Sequence, residues 1–314
     1  YKCNIYNDFS FFKKIFNKKI DYTMSSISGL DGLNPTLNII KYTKNIAIAN
    51  KESIICGWNL ISKELRKNST SFIPVDSEHF SIWSSINKVD IKLIDKIYLT
   101  ASGGPFLNIS NSKLTNTKPN DAIKHPRWKM GKKISIDSSN LMNKVFEVVE
   151  ASRIFNLSPK KFEIITHPDS YLHSIVRFNN GINKLLIHDT SMKIPIFNSI
   201  FSNYEKKYKS KKINFERLNN LNLKKPNRKK FPNLKILNHI PNKISLFETI
   251  LVSANDELVS MFLNSKIKYL EIHKYLIRIL NMSQFKKYKK KHKFNTKEIF
   301  KLSYEVKKII RNIL

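Results

Sequence analysis

Apolar residues in the first 75 positions come alternately in helical periods and in short runs. Residues 11–16 read as a helix, a second helical stretch covers 36–41 after Pro35, and a third covers 54–65. Between them Ile46-Ala47-Ile48-Ala49 and Phe72-Ile73-Pro74-Val75 read as short buried strands. Alternation of this kind predicts a parallel sheet with functional groups at the carboxyl ends of its strands. Asn50-Lys51-Glu52 and Asp76-Ser77-Glu78 each begin just past such an end.

Further on the pattern is mixed. A strand predicted at 97–100 runs into Ala101-Ser102-Gly103-Gly104-Pro105-Phe106, whose glycines suit a turn or hinge, and more strands are predicted at 163–165 and 174–178. A polar stretch at 108–124 leads into a segment running from His125 to Gly131, bracketed by glycines as a closing flap would be. A helix is predicted to start with Asp137 or Ser138 as N-cap. Leu141, Val145, Val148, Val149 and Ser152 would form its packing face, with Asn143, Lys144 and Glu147 off that face. Residues 204–230 are rich in Lys and Asn and read as a linker. Beyond Pro232 apolar residues recur at helical spacing, among them Leu246, Ile250, Leu258, Met261, Phe262, Ile272, Tyr275, Leu276 and Ile279. The prediction is an α/β protein with an α/β unit at 1–75, a central α+β domain at 76–203, the linker, and an α-helical domain at 231–314.

Composition narrows the class. Hydrophobic content of 41% with 11% aromatics argues for a folded chain. No apolar run reaches the roughly 18 residues of a membrane span, so no membrane partner is expected, and the first residues lack the order of a secretory signal. Cys3 and Cys56 are too few for a disulfide framework and fit a reducing compartment. A net charge of +32 would suit a phosphate backbone. Yet Lys far outnumbers Arg, Asn and Ile abound, and only 7 glycines occur, so A/T-rich coding explains the charge more simply. The lysines of 286–293 carry no recognised binding motif, and nucleic acid is not an expected partner. The cytoplasm of an AT-rich bacterial endosymbiont is the expected setting, a plastid stroma the alternative.

With 24 acidic residues against 56 basic ones, carboxylates that recur together stand out. Asp76 and Glu78 lie two apart in an apolar-flanked segment, and Glu147 accompanies Asn143 and Lys144. Three carboxylates suit a hard divalent cation, Mg²⁺ or Mn²⁺, able to clamp two vicinal oxygens and polarise a carbonyl. Equally, Asp76 and Glu78 could cap a loop while Glu147 pairs with Lys144 on a solvated helix face, and spacing does not decide. A helix start with Ser hydroxyls and a lysine is a ready phosphate cradle. His79, His125, His167 and His173 lie in this region, and for each a hydrogen-bonded structural role is the simpler reading. His125 and Trp128 differ in lying on the flap.

Several blocks in series carry a resemblance. They are Ala49-Asn50-Lys51-Glu52-Ser53, Pro74-Val75-Asp76-Ser77-Glu78-His79, Ser102-Gly103-Gly104-Pro105-Phe106, and His125-Pro126-Arg127-Trp128-Lys129-Met130-Gly131 continuing to Asp137-Ser138. Met142-Asn143-Lys144, Glu147, Glu150-Ala151, His167-Pro168 and His173-Ser174 follow in order. Together they resemble the 1-deoxy-D-xylulose 5-phosphate reductoisomerase family over most of the chain. The resemblance implies a partial Rossmann-like NADPH domain, a catalytic domain with a flexible lid, and a C-terminal helical domain. It implies NADPH and Mn²⁺ or Mg²⁺ as cofactors, a sugar phosphate substrate and a homodimer. Asp76, Glu78 and Glu147 would ligate the metal, with Ser77 beside it. Lys51 and His125 would join them as catalytic groups. Ser102, Ser138, Asn143 and Lys144 would hold the phosphate, Trp128 and Met130 would lie on the lid, and His173 and Met192 would line the pocket. Gly29, Asn50, Lys51, Glu52, Met130 and Gly131 would face the cofactor.

There are departures too. The family's glycine-rich pyrophosphate turn has no counterpart here, and the chain opens at Tyr1, so a piece of a longer enzyme is expected. Val145 and Phe146 stand where the family usually has Gly and Leu, and Thr190-Ser191 where it has Pro-Asp. The rival expectation is an inactive relic kept as a basic binding or assembly protein.

Overall fold

The computed structural model describes residues 3–6, 8–126, 128, 130–201 and 206–314. The first unit contains β1 (Ile20–Ser25), α1 (Leu33–Ile39), β2 (Thr43–Ile48), α2 (Lys51–Lys67) and β3 (Ser71–Pro74). Its strands form a parallel sheet in the order β1-β2-β3, with Ile46 opposite Phe72. Both predicted strands are present, and each delivers a helix start at its carboxyl end. Asn50 caps α2 by accepting from the Ser53 N–H at 2.7 Å. Asp76 caps α3 (Ser77–Ile86) by accepting from the Glu78 and His79 N–H groups at 3.1 and 3.3 Å. The segment from Ser77 onward is therefore helix, which the sequence reading did not include. Strand β1 was not foreseen either, because its six residues include Asp21 and Thr23 and sit half-exposed at a sheet edge.

The second unit contains β4 (Ile94–Ala101), α4 (Lys132–Ser139), α5 (Met142–Ile154), β5 (Phe162–Thr166), β6 (Leu172–Phe178) and β7 (Asn183–Ile187). Its sheet runs β5-β4-β6-β7, parallel between β4 and β5 and antiparallel elsewhere. Helix α6 (Lys193–Ile200) follows, and a short helix at Phe215–Asn219 leads to an antiparallel bridge between Lys224 and Thr166. The chain ends in α7 (Phe247–Leu263), α8 (Tyr269–Leu280) and α9 (Thr296–Ile313). Helix α9 shows the expected amphipathic pattern, burying Ile299, Leu302, Val306 and Ile310, and its start is fixed by a capping box between Asn295 and Glu298.

Two expectations about the middle helix need correction. Asp137 and Ser138 are not an N-cap, because they lie in the last turn of α4, which stops at Ser139. Leu141 then takes a left-handed conformation at φ 60°, and α5 restarts at Met142. Nor does α5 keep a solvated face. Val145, Phe146 and Val149 belong to a core shared with α2 and α7, while Val148 and Ala151 belong to a second core with β4, β5 and β6. Sandwiched between two cores, α5 buries Lys144, Glu147 and Glu150 as well.

Candidate active site

The carboxyl ends of β2 and β3 and one side of α5 converge. Lys51 opens α2, Asp76 caps α3, Glu78 occupies the first turn of α3, and Glu147 projects from the middle of α5. One oxygen from each of Asp76, Glu78 and Glu147 lies within 4.8 Å of the others, the one such group among the described residues. Two ammonium groups sit among these carboxylates. Lys144 Nζ bridges Glu78 Oε1 and Glu147 Oε2 at 2.6 Å each, and Lys51 pairs with Asp76 and stands 3.9 Å from Glu147. Asn143 donates to Glu147 Oε1, Ser77 donates to Glu78, and His79 Nε2 donates to the Glu147 carbonyl at 3.0 Å. Parts of the second reading are found: Asp76 is a cap, though of a helix, and Glu147 does pair with Lys144, but in a buried cluster.

Burial works against the charge on Asp76, yet Lys51 and its neighbours outweigh it and hold this carboxyl far below the usual carboxylate range. Burial, joined by the nearby Glu78 charge, pushes Glu147 well up. Burial also disfavours the charged lysines, but Asp76 and Glu150 keep Lys51, and Glu147 and Glu78 keep Lys144, firmly protonated. A cluster of hard oxygen donors that draws two ammonium groups into itself fits a divalent cation of the Mg²⁺ or Mn²⁺ type.

These groups form one wall of a cavity of about 240 Å³. Ser77, Ser102, His125, Trp128, Met130, Ser138, Asn143, His173 and Met192 also line it, with Lys51, Lys144 and the three carboxylates. Arg127 and Lys129 of the flap lie outside the described residues. His125 accepts from the Trp128 N–H at Nδ1, 2.9 Å, and burial lowers its pKa to about 4. A neutral ring that accepts at Nδ1 carries its proton on Nε2, so it donates to Ser102 Oγ at 2.9 Å. Ser102 Oγ also accepts from the Gly104 N–H at 3.2 Å, which leaves its own proton for a ligand. Gly104 is held at φ 63°, and a Cβ there would come within 2.8 Å of the Ser138 carbonyl, so the glycine turn brings Ser102 and Ser138 together.

A second cavity of about 550 Å³ shares Lys51 with the first. Gly29, Asn50, Glu52 and Gly131 line it, together with Phe146, Lys133, Asp137 and Asp256. Met130, expected on the cofactor side as well as on the lid, lines only the first cavity. Lys133 pairs with Glu52 at 2.7 Å, Asp256 at 2.9 Å and Asp137 at 3.3 Å, and lies over the Phe146 ring at 5.2 Å. This clamp ties α4 to α2 and α7. His167 lies elsewhere, accepting from the Tyr171 N–H, in keeping with its structural reading.

Sequence reasoning missed His188, which stacks on His173 with ring centroids 3.6 Å apart, and it assigned no role to Lys133 or Glu150. Glu150 had a usable signal, since Lys144, Glu147 and Glu150 recur every three residues along one helix in an acid-poor chain.

Known proteins match this chain along its length. Residues 2–57 match the family described as 1-deoxy-D-xylulose 5-phosphate reductoisomerase, residues 72–155 its C-terminal domain, and residues 188–309 the DXP reductoisomerase C-terminal domain. A Pelagibacter ubique protein named 1-deoxy-D-xylulose 5-phosphate reductoisomerase is 59% identical over 304 residues, covering 96% of this chain and 78% of that one. A Wolbachia pipientis protein of the same name is 41% identical over 256 residues, covering 81% and 66%. Among solved structures, DOX-P reductoisomerase in complex with NADPH, fosmidomycin and magnesium superimposes with a TM-score of 0.84 at 29% identity, covering 93% of this chain and 75% of that one. The Zymomonas mobilis enzyme in complex with NADPH does so with a TM-score of 0.80 at 30% identity, covering 91% and 73%. Fold, carboxylate cluster and relatives agree, and the chain belongs to the 1-deoxy-D-xylulose 5-phosphate reductoisomerase family.

Proposed function

We propose that the two cavities joined at Lys51 are the working site of this chain. The activity is the NADPH- and divalent-metal-dependent isomerisation and reduction of 1-deoxy-D-xylulose 5-phosphate to 2-C-methyl-D-erythritol 4-phosphate. Asp76, Glu78 and Glu147 would hold Mn²⁺ or Mg²⁺, and a cation there supplies Lewis-acid polarisation of substrate oxygens. The Ser102 hydroxyl, oriented by neutral His125, joins Ser138, Asn143 and Lys144 around the phosphate. Trp128 and Met130 cover the substrate, and His173 and Met192 bound it on the far side. Gly29, Asn50, Glu52 and Gly131 would face NADPH, which supplies the hydride, with Lys51 on the partition between cofactor and substrate.

The carrying observation is the carboxylate trio within 4.8 Å in a wall shared with the hydroxyl, amide and ammonium groups of the phosphate cradle. Titration of the chain with Mn²⁺, followed by electron paramagnetic resonance, tests it. Glu147→Gln is expected to abolish tight Mn²⁺ binding, and retained affinity would overturn the assignment.

The assembly we propose is a homodimer. In its favour, β7 is a sheet edge with Leu185, and Ile182 just before the strand, about half exposed, an arrangement that invites pairing. Sedimentation at micromolar concentration should give twice the chain mass; a monomer would refute it. The relic reading has less support, because part of its lysine run serves the fold: Lys289 lies over Phe247 and Lys291 pairs with Glu298.

A further inference from the structure

Glu150 lies three residues beyond Glu147 on α5, is 2% exposed, and belongs to the lining of neither cavity. Its Oε2 is buried without a hydrogen-bond partner, 3.5 Å from Lys51 Nζ and 3.6 Å from His79 Nδ1, itself buried and without a hydrogen bond. A buried carboxylate oxygen aimed at an ammonium but not bonded to it is unfavourable unless that ammonium can move closer. Lys51 has reason to move. It is paired with Asp76 through Oδ2, and a divalent cation taken up by the trio would repel that ammonium.

We propose that Glu150 is a positioning residue that receives Lys51 when Asp76 is taken up by the divalent cation. The inference rests on the reading of Asp76, Glu78 and Glu147 as ligands. Glu150 keeps the displaced ammonium on the partition between the two cavities, within reach of substrate and cofactor, where Lys51 would otherwise turn to solvent. Glu147, 3.9 Å from Lys51, cannot serve in its place because it is itself a ligand.

Mn²⁺ affinity, read by electron paramagnetic resonance on the full 314-residue chain, tests the hand-over in a double-mutant cycle. The forms compared are the parent, Glu150→Gln, Lys51→Met and the double variant. Loss of one nearby negative charge weakens Mn²⁺ in either background, so the expected signature is the difference. Glu150→Gln should cost about tenfold with Lys51 present and less than about threefold in the Lys51→Met background. Equal losses in the two backgrounds, or none, would overturn the proposal. If Glu150→Gln does not fold, Glu150→Asp retains the charge but shortens its reach, and the same cycle applies. Mn²⁺ binding that survived Glu147→Gln would instead sink the ligand assignment, so the two failures are distinguishable.

Discussion

Two clusters of lysine and carboxylate, one half-buried and one buried, lie on opposite sides of the α4–α5 break, and they are built from the same chemical parts. Around Lys133, three carboxylates converge on one ammonium that touches all of them and is backed by an aromatic face. Around Asp76, Glu78 and Glu147, two ammonium groups share the carboxylates, and the oxygens come close enough to take a single ion. In the first the lysine is the centre; in the second the centre is a place between side chains. That difference separates a clamp from a site. Residue type alone does not show it.

The largest expected effect breaks the second cluster only. Glu147→Gln should lower turnover on the order of 10³-fold, comparable to losing one group that stabilises developing charge. Its unfolding midpoint at neutral pH should be unchanged or raised, because burial already works against the Glu147 charge. Lys133→Met should do the reverse. It leaves Glu52, Asp137 and Asp256 without their common partner, and unfolding in urea should show a loss of about 3 kcal/mol, while Mn²⁺ affinity stays near the parent value.

A pH series sharpens the contrast. Burial raises the pKa of Asp137 above its ordinary value, although Lys133 and Asn255 pull the other way. For a carboxylate raised in the folded state, the stabilising contribution is complete below the unfolded pKa and is lost as pH rises through the folded pKa. Asp137→Asn should therefore raise the melting temperature at pH 7 and above, with the gain shrinking as pH falls through the carboxylate range. A gain that grows toward acid would contradict the assigned direction. Smallest of all, Phe146→Leu removes the ring beneath Lys133 and should cost about 0.5–1 kcal/mol at that contact, seen as a slight drop in urea midpoint.

Much of the site was legible because its residues fall in runs fixed by local geometry. A strand end followed by Asn50-Lys51-Glu52 or Asp76-Ser77-Glu78, and a Gly103-Gly104 turn at positive φ, can be read from a few consecutive letters, although the helix starts that Asn50 and Asp76 cap were not. The break between α4 and α5 could not, because its left-handed residue is a leucine and offers none of the punctuation a glycine would give. Glu150 and Lys133 were passed over for another reason. Polar residues look like surface until the packing around them is known, and α5 becomes an interior helix only when the α2–α7 core and the β4–β6 core close on both its sides. Strand β7 was not predicted: it opens on Asn183 and Lys184, its apolar run is the three residues Leu185-Leu186-Ile187, and three of its five residues are exposed.

Leu141 has a consequence for how ligands could be evaded. Ser138 stands on one side of this left-handed residue and Asn143 on the other, and both line the first cavity although Leu141 does not. Its side chain is only 1% exposed, so the core fixes the angle between the two helices. Any inhibitor that bridges them borrows its fit from a position it never touches. In a selection for resistance, a change at 141 would reveal itself as affinity lost while every contacting residue remains the same.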